Sequence, residues 1–251
     1  MNTVEVLPTE LALCRSFLYE ALALGFCAPG QEVADKLASP EGGAALIEAA
    51  GLIDEDLGAQ IKALSAHATD LDELARRFRW LFGYTSRGRV APYETEYGTD
   101  ALFLQPQEMA DIAGFLRAFG LVVDRDQHQR VDHIACECEF LAFLCRKEAY
   151  ALEQGDDDML EQTCRAQRLF LKEHLGRFGP ALGRKLRRED DGFYGMLGEA
   201  CTVFLEGECR RLGLPAGPAH LELRSAEPDN VPMACAPESS LLQIEEPGEG
   251  E

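Results

Sequence analysis

An all-α fold is predicted by three features of the chain. Apolar residues recur at three-to-four spacing along most of its length, no alternating apolar/polar run exceeds a few residues, and no internal repeat marks a solenoid. The first stripe, Leu11, Cys14, Phe17, Leu18, Ala21, Leu22 and Phe26, describes one buried helix face. Thr9 is placed to cap it, and Gly25 or Gly30 to end it. Shorter helices are predicted at 31–38, 41–50 and 54–68, punctuated by Pro40, Gly42, Gly43 and Gly51. A further helix at 70–82 opens with Asp70 and Glu73 in a capping arrangement and carries Leu71, Leu74, Phe78, Leu81 and Phe82. Gly83, Gly88, Pro92, Gly98 and Pro106 break continuity, so 83–105 reads as an ordered loop.

The helical pattern resumes at 107–119 and stops at Gly120. A polar link, Asp124-Arg125-Asp126-Gln127, leads into the most apolar helix, 128–151, expected at the centre of the core. Helices at 157–176 and 192–213, with a shorter piece at 180–188, complete roughly ten helices in a single bundle-like domain spanning 8–213. From 214 to 251 prolines and glutamates dominate and Arg224 is the only Lys or Arg. This acidic segment is expected to be a disordered tail, with Ser239-Ser240-Leu241-Leu242-Gln243-Ile244 its one apolar patch.

Forty-four acidic against 24 basic side chains give a net charge of −20. That balance disfavours a nucleic-acid backbone or an anionic membrane surface as a partner and suits a basic or polar peptide. Nine cysteines, an odd number without a C-x-x-C pair, do not form a secreted disulfide framework. Glu5 and Glu10 stand where an export signal needs basic residues, so no signal peptide or membrane span is read, and a reducing cytoplasm is the expected compartment.

His133, Cys136, Glu137 and Cys138 have the chemistry of a zinc site but not its geometry: Cys136 and Cys138 lie about 200° apart around a helix. Buried core cysteines are the simpler reading. Asp132, Glu137 and Glu139 likewise point in different directions on a helix, which argues against an acid–base pair. Asp132 is placed as a helix N-cap, and His133 as a hydrogen-bonded core histidine. Tyr84, Tyr93 and Tyr97 with Trp80 and Pro92 make 80–97 an aromatic-rich stretch on which an apolar peptide segment could lie. A helical enzyme and a general protein-binding scaffold stay open as alternatives at this level.

Three blocks resemble one family. Trp80-Leu81-Phe82-Gly83 with Ala91-Pro92-Tyr93-Glu94-Thr95-Glu96-Tyr97-Gly98 is similar to its "LF…P-x-E-S-x-Y" block, with Thr95 in place of Ser. Asp132-His133-Ile134-Ala135-Cys136-Glu137-Cys138-Glu139-Phe140-Leu141 resembles its "DHIAxELEFM" helix. Phe170-Leu171-Lys172-Glu173-His174-Leu175-Gly176-Arg177-Phe178 resembles a third block. Together, over about 10–213, they are similar to the TorD/DmsD family of redox-enzyme maturation chaperones, with NarJ-type proteins as more distant relatives. The resemblance implies a protein that is not an enzyme and carries no cofactor or metal of its own. It implies binding of the twin-arginine leader of a molybdenum oxidoreductase catalytic subunit, held until the client's cofactor is inserted, as a monomer or homodimer. Carried over, the binding residues are Leu81, Phe82, Pro92, Tyr93, Glu94, Tyr97, Asp132 and His133, with Glu137 and Glu139 as second choices.

Overall fold

The computed structural model describes residues 6–38, 40–67, 71–83, 88–98, 104–123 and 130–224. The expected cap Asp70, the ring of Tyr84, the link 124–127 and the tail beyond Arg224 lie outside these residues. Among the described residues the chain forms α1 (Pro8–Phe26), α2 (Gln31–Val33) continuing into a π turn at Ala34–Ala38, α3 (Pro40–Ile53), α4 (Glu55–His67) and α5 (Leu71–Phe82). A 3-10 turn at Glu94–Glu96 precedes α6 (Leu104–Ala118), α7 (Ile134–Gln154), α8 (Asp157–Glu173), α9 (Leu175–Glu189) and α10 (Phe193–Arg211). Two isolated bridges pair Tyr93 with His133 and Tyr97 with Leu223. No described helix is long and apolar enough to cross a membrane.

The predicted central helix is central. α7 buries Ile134, Cys138, Phe140, Leu141, Leu144 and Cys145 between α1 and α8. Phe140 meets Phe170 of α8 edge-on at 4.8 Å, and Phe115 of α6 and Phe119 just past its end close the cluster. Each buried ring contributes on the order of 1.5–3 kcal/mol from area alone. On the other side of the core α10 lies against α9 and α4.

Four boundaries differ from expectation, each for a local reason. Thr9 does not cap α1; Leu7 is the N-cap, its amide donating to Glu10 Oε2 at 3.1 Å. α7 begins at Ile134 rather than 128, and its cap is His133, whose Nδ1 accepts the Ala135 amide at 3.1 Å, leaving Asp132 for another task. The separate piece expected at 180–188 belongs to one helix, α9, that runs through Pro180. Proline has no amide for the carbonyl of Gly176, and the Gly217 amide supplies the bond instead, at 3.0 Å. A side chain at 217 would begin 1.9 Å from the Arg177 carbonyl, so this approach requires glycine.

The fourth difference concerns the packed boundary at 213. Residues 214–224 lie along the domain, with Leu214 buried, Gly217 bonded to α9, and Glu222–Arg224 paired with the 96–98 segment. Proline-rich sequence cannot build a core, yet it can dock where a helix leaves a carbonyl open and a loop offers an unpaired edge.

Candidate functional site

The three sequence blocks, far apart along the chain, converge on the loop 88–98. Backbone bonds set the frame: the Glu94 amide donates to the Asp132 carbonyl, and the Ile134 amide to the Pro92 carbonyl, both at 2.9 Å. The loop is thereby fastened to the start of α7. Asp132, fully buried, accepts from the Thr95 hydroxyl at 2.7 Å and the Thr95 amide at 3.2 Å through Oδ2. Asp132 therefore caps the 94–96 turn, which corrects its expected place as the cap of α7. Threonine supplies the same hydroxyl as the family's serine at this position. Arg130 closes the arrangement, with Nη2 donating to Asp132 Oδ2 at 2.6 Å and Nε to Oδ1 at 3.0 Å. Its guanidinium sits 4.4 Å from the centre of the Tyr93 ring, and that ring meets His133 edge-on.

Glu94, 1% exposed, turns inward from the same loop. Its Oε2 pairs with His174 Nδ1 at 3.0 Å and its Oε1 accepts from Arg177 Nη2 at 2.8 Å. His174 stands at the α8–α9 junction and reaches Asp111 of α6 through Nε2 at 3.2 Å. Arg177 also approaches Glu108 of α6 at 3.6 Å. Glu94 thus ties the loop to α6 and α9, while Asp132 ties it to α7.

Of the ten carried-over residues, these connections bring together Pro92, Tyr93, Glu94, Asp132 and His133. Leu81 and Phe82 sit below, at the end of α5. Leu81 is fully buried, and Phe82 packs on Phe26, Phe78 and Tyr194. Tyr97 is buried too, its hydroxyl donating to the Ala91 carbonyl at 2.8 Å. Glu139 is exposed one turn further along α7, and Tyr93 is the half-buried aromatic of the group. Sequence reasoning did not select Thr95, Glu108, Asp111, Arg130, His174 or Arg177. His174 and Arg177 stood inside the third block; the signal for Arg130 was its place two residues before Asp132.

Three of the four carboxylates expected to await a basic peptide, Glu94, Asp132 and Glu137, are engaged by the chain's own cations or withdrawn from charge, while Glu139 stays exposed. Glu137 is 1% exposed and its two oxygens have no hydrogen-bond partner among the described residues. Burial, then the charges of Glu94 and Asp132, raise its pKa well above the ordinary 4.5, against the pull of Arg177. Burial lowers His133 from 6.5 to about 4, with Asp132 opposing and Arg130 assisting, so the ring is neutral. Cys138 and Cys136 face different surroundings, the first fully buried and the second half-buried, and burial pushes the Cys136 thiol up to about 12. No cluster of His, Cys, Asp and Glu suited to a metal occurs among the described residues.

These shifts have a measurable consequence. Folded Glu137 keeps a proton that the unfolded chain releases above about pH 4.5, so its contribution is intact below that value and is lost as pH rises. His133 acts with the opposite slope: below about pH 6.5 the unfolded chain binds a proton that the folded ring refuses until about pH 4. Of these two slopes only that of Glu137 persists above about 6.5. Glu137→Gln should match the parent near pH 4.5 and become progressively more stable than it with rising pH, by about 1.4 kcal/mol per unit until the folded carboxyl ionises. Thermal melts of both proteins across this range measure the difference; a difference independent of pH would show that Glu137 is ionised in the fold.

Comparison with known proteins places the same region in view. The model of the nitrate reductase delta subunit family matches residues 48–183, which include Glu94, Asp132, His174 and Arg177. The selenate reductase assembly chaperone protein of Thauera selenatis is 30% identical over 199 residues, covering 77% of this chain and 91% of that protein. The chlorate reductase assembly chaperone protein of Ideonella dechloratans is 28% identical over 163 residues, 65% of this chain and 76% of its own. Chaperone protein TorD of Photobacterium profundum is 28% identical over 123 residues, 49% of this chain and 56% of its own.

Proposed function

From membership of the nitrate reductase delta subunit family, to which this chain belongs, we propose that it is an assembly chaperone, not an enzyme, for the catalytic subunit of a molybdenum oxidoreductase. It acts in the cytoplasm before export, binding the client's twin-arginine leader until the cofactor is in place. The observation that carries this reading is the convergence of the three family blocks on one loop through Glu94, Asp132 and His174. An arrangement that fastens an aromatic-bearing loop to three helices preorganises a surface, and preorganisation reduces the ordering cost of taking up a flexible peptide. Tyr93 is the anchor of that surface. Its ring is stiffened by Arg130 above and His133 at its edge, while Leu81, Phe82 and Tyr97 support the loop from within.

Calorimetric titration with a synthetic leader, an arginine pair followed by an apolar stretch, tests the assignment. Tyr93→Ala should weaken binding by about 1–3 kcal/mol, with little dependence on salt, because an apolar contact is lost. Glu139→Gln should weaken it less and should reduce the salt dependence, since an exposed charge acts through solvent. Binding unaltered by Tyr93→Ala would move the leader to another surface. A parent protein that binds no leader peptide would remove the leader from this proposal.

A further inference from the structure

The segment Glu222–Arg224 pairs with residues 96–98 of the loop through an isolated antiparallel bridge, while His133 pairs with Tyr93 nearer the loop's start. The Gly98 amide donates to the Glu222 carbonyl at 3.0 Å, the Arg224 amide donates to the Glu96 carbonyl at 2.8 Å, and Tyr97 and Leu223 face each other between these bonds. Arg224 itself is 7% exposed. Its Nη2 donates to Glu108 at 3.0 Å to Oε2 and 3.3 Å to Oε1. Gly98 has φ +112°, and a Cβ there would stand 3.4 Å from the same Nη2, so the glycine gives the strand its turn and leaves the guanidinium its space. Glu108 in turn approaches Arg177, the partner of Glu94, so this seat adjoins the site built by the three blocks.

We propose that the 96–98 edge and Glu108 form a seat for an arginine carried on an extended peptide, that Glu222–Arg224 fills it as a pseudo-ligand, and that the leader's arginine segment displaces it. The proposal rests on the leader-binding reading and names the part of the surface that takes the basic residues. Main-chain pairing of this kind accepts any extended sequence, while the carboxylate beside it selects the side chain. Guanidinium suits that place better than ammonium because it spreads its donors in a plane. The segment brings the one Lys or Arg found after residue 213 into hydrogen bonds with Glu108. Backbone bonds and ion pairs of this kind are individually modest, so the segment is open to exchange against a longer peptide that also covers Tyr93. The covalent link gives the chain's own segment a high effective concentration, so only a peptide with the additional apolar contacts competes.

The full chain, a labelled twin-arginine leader peptide and amide hydrogen exchange test this. In the parent the Arg224 amide, bonded to Glu96, should be protected when free and should exchange at least several-fold faster with leader bound. Arg224→Ala should bind the leader about five- to twentyfold more tightly, because the occupied fraction no longer reduces the apparent affinity. Glu108→Gln should bind it more weakly. If the leader binds while the Arg224 amide stays protected, or if Arg224→Ala binds equally or more weakly, the pseudo-ligand proposal is overturned and leader binding stands. If neither the parent nor Arg224→Ala binds the leader, both readings fall together. Binding by Arg224→Ala alone would support the proposal in its strongest form.

Discussion

Replacing Glu94 with alanine should lower the unfolding free energy by about 2–4 kcal/mol and weaken leader binding, although the carboxylate is too deep to touch a peptide. The side chain is fully buried between His174, itself 4% exposed, and Arg177. Its removal leaves the imidazole without its partner on one side. The cost sits below the full penalty for a broken buried pair because Arg177 is about half exposed and still reaches Glu108. For a domain of this size the loss is a fall in Tm of about 5–15 °C. Glu94→Gln keeps the shape and an acceptor for Arg177, and should recover part of both the stability and the binding. Melting curves with calorimetric titrations well below the transition separate the two effects. An alanine variant that melts like the parent would show that the loop is held by Asp132 alone.

How much of this could be read from the residues alone depends on the range of each interaction. Helices were legible because their apolar period is local: the stripe on α7 is its buried face, and Leu74, Leu81 and Phe82 of the α5 stripe are buried, whereas the buried face of α1 adds Ala12, Arg15, Ser16 and Tyr19 to Leu18, Leu22 and Phe26 and leaves Leu11, Cys14, Phe17 and Ala21 at its margin. Leu81, Phe82 and Tyr97 sit in family-like blocks, and a family pattern has two meanings, since a buried residue that packs the core is as characteristic of a family as one that touches a ligand; the structure places all three in the core. Asp132 precedes a helix and looked like its cap; its neighbour His133 took that role because the loop arriving from Tyr93 offered Asp132 a hydroxyl, an amide and the Arg130 guanidinium. No local pattern announces such a choice. Pro180 looked like a helix boundary for a sound reason, and only a residue 37 positions later, Gly217, removes that reason. Charged residues were the least legible. A lone arginine in an apolar stripe reads as an interruption until its carboxylates arrive from other helices.

Arg15 is the clearest case, and its replacement by alanine should be the most damaging single change in the protein. Its guanidinium is 4% exposed in the middle of α1. One nitrogen donates to Glu148 of α7 at 2.7 Å and another stands 3.6 Å from Glu208 of α10. Gln167 of α8 donates to the second Glu148 oxygen at 2.7 Å, and Arg211 holds Glu208 at 2.9 and 3.0 Å. Tyr19 adds its hydroxyl to Glu208 at 3.4 Å. Four helices therefore meet through one buried network of charges, in which Arg15 Nη1 faces Glu208 at ion-pair rather than hydrogen-bond distance. Alanine at 15 leaves Glu148, nearly enclosed, with the Gln167 amide as its hydrogen-bond partner among the described residues and Arg211 acting on it only at longer range, and removing one partner of such a buried pair costs about 3–5 kcal/mol. Glu208 loses less, because Arg211 and Tyr19 remain. Urea unfolding should show a loss of that size with an unchanged m-value, a third or more of the stability of a domain near the middle of the usual range. The double variant Arg15→Leu with Glu148→Leu separates the network's role from its energy, since two apolar side chains of similar reach remove the orphaned charge along with the pair. It should recover most of the stability lost in Arg15→Ala. Equal losses in the single and double variants would mean instead that the packing of the arginine stem, rather than the charge left behind, sets the cost.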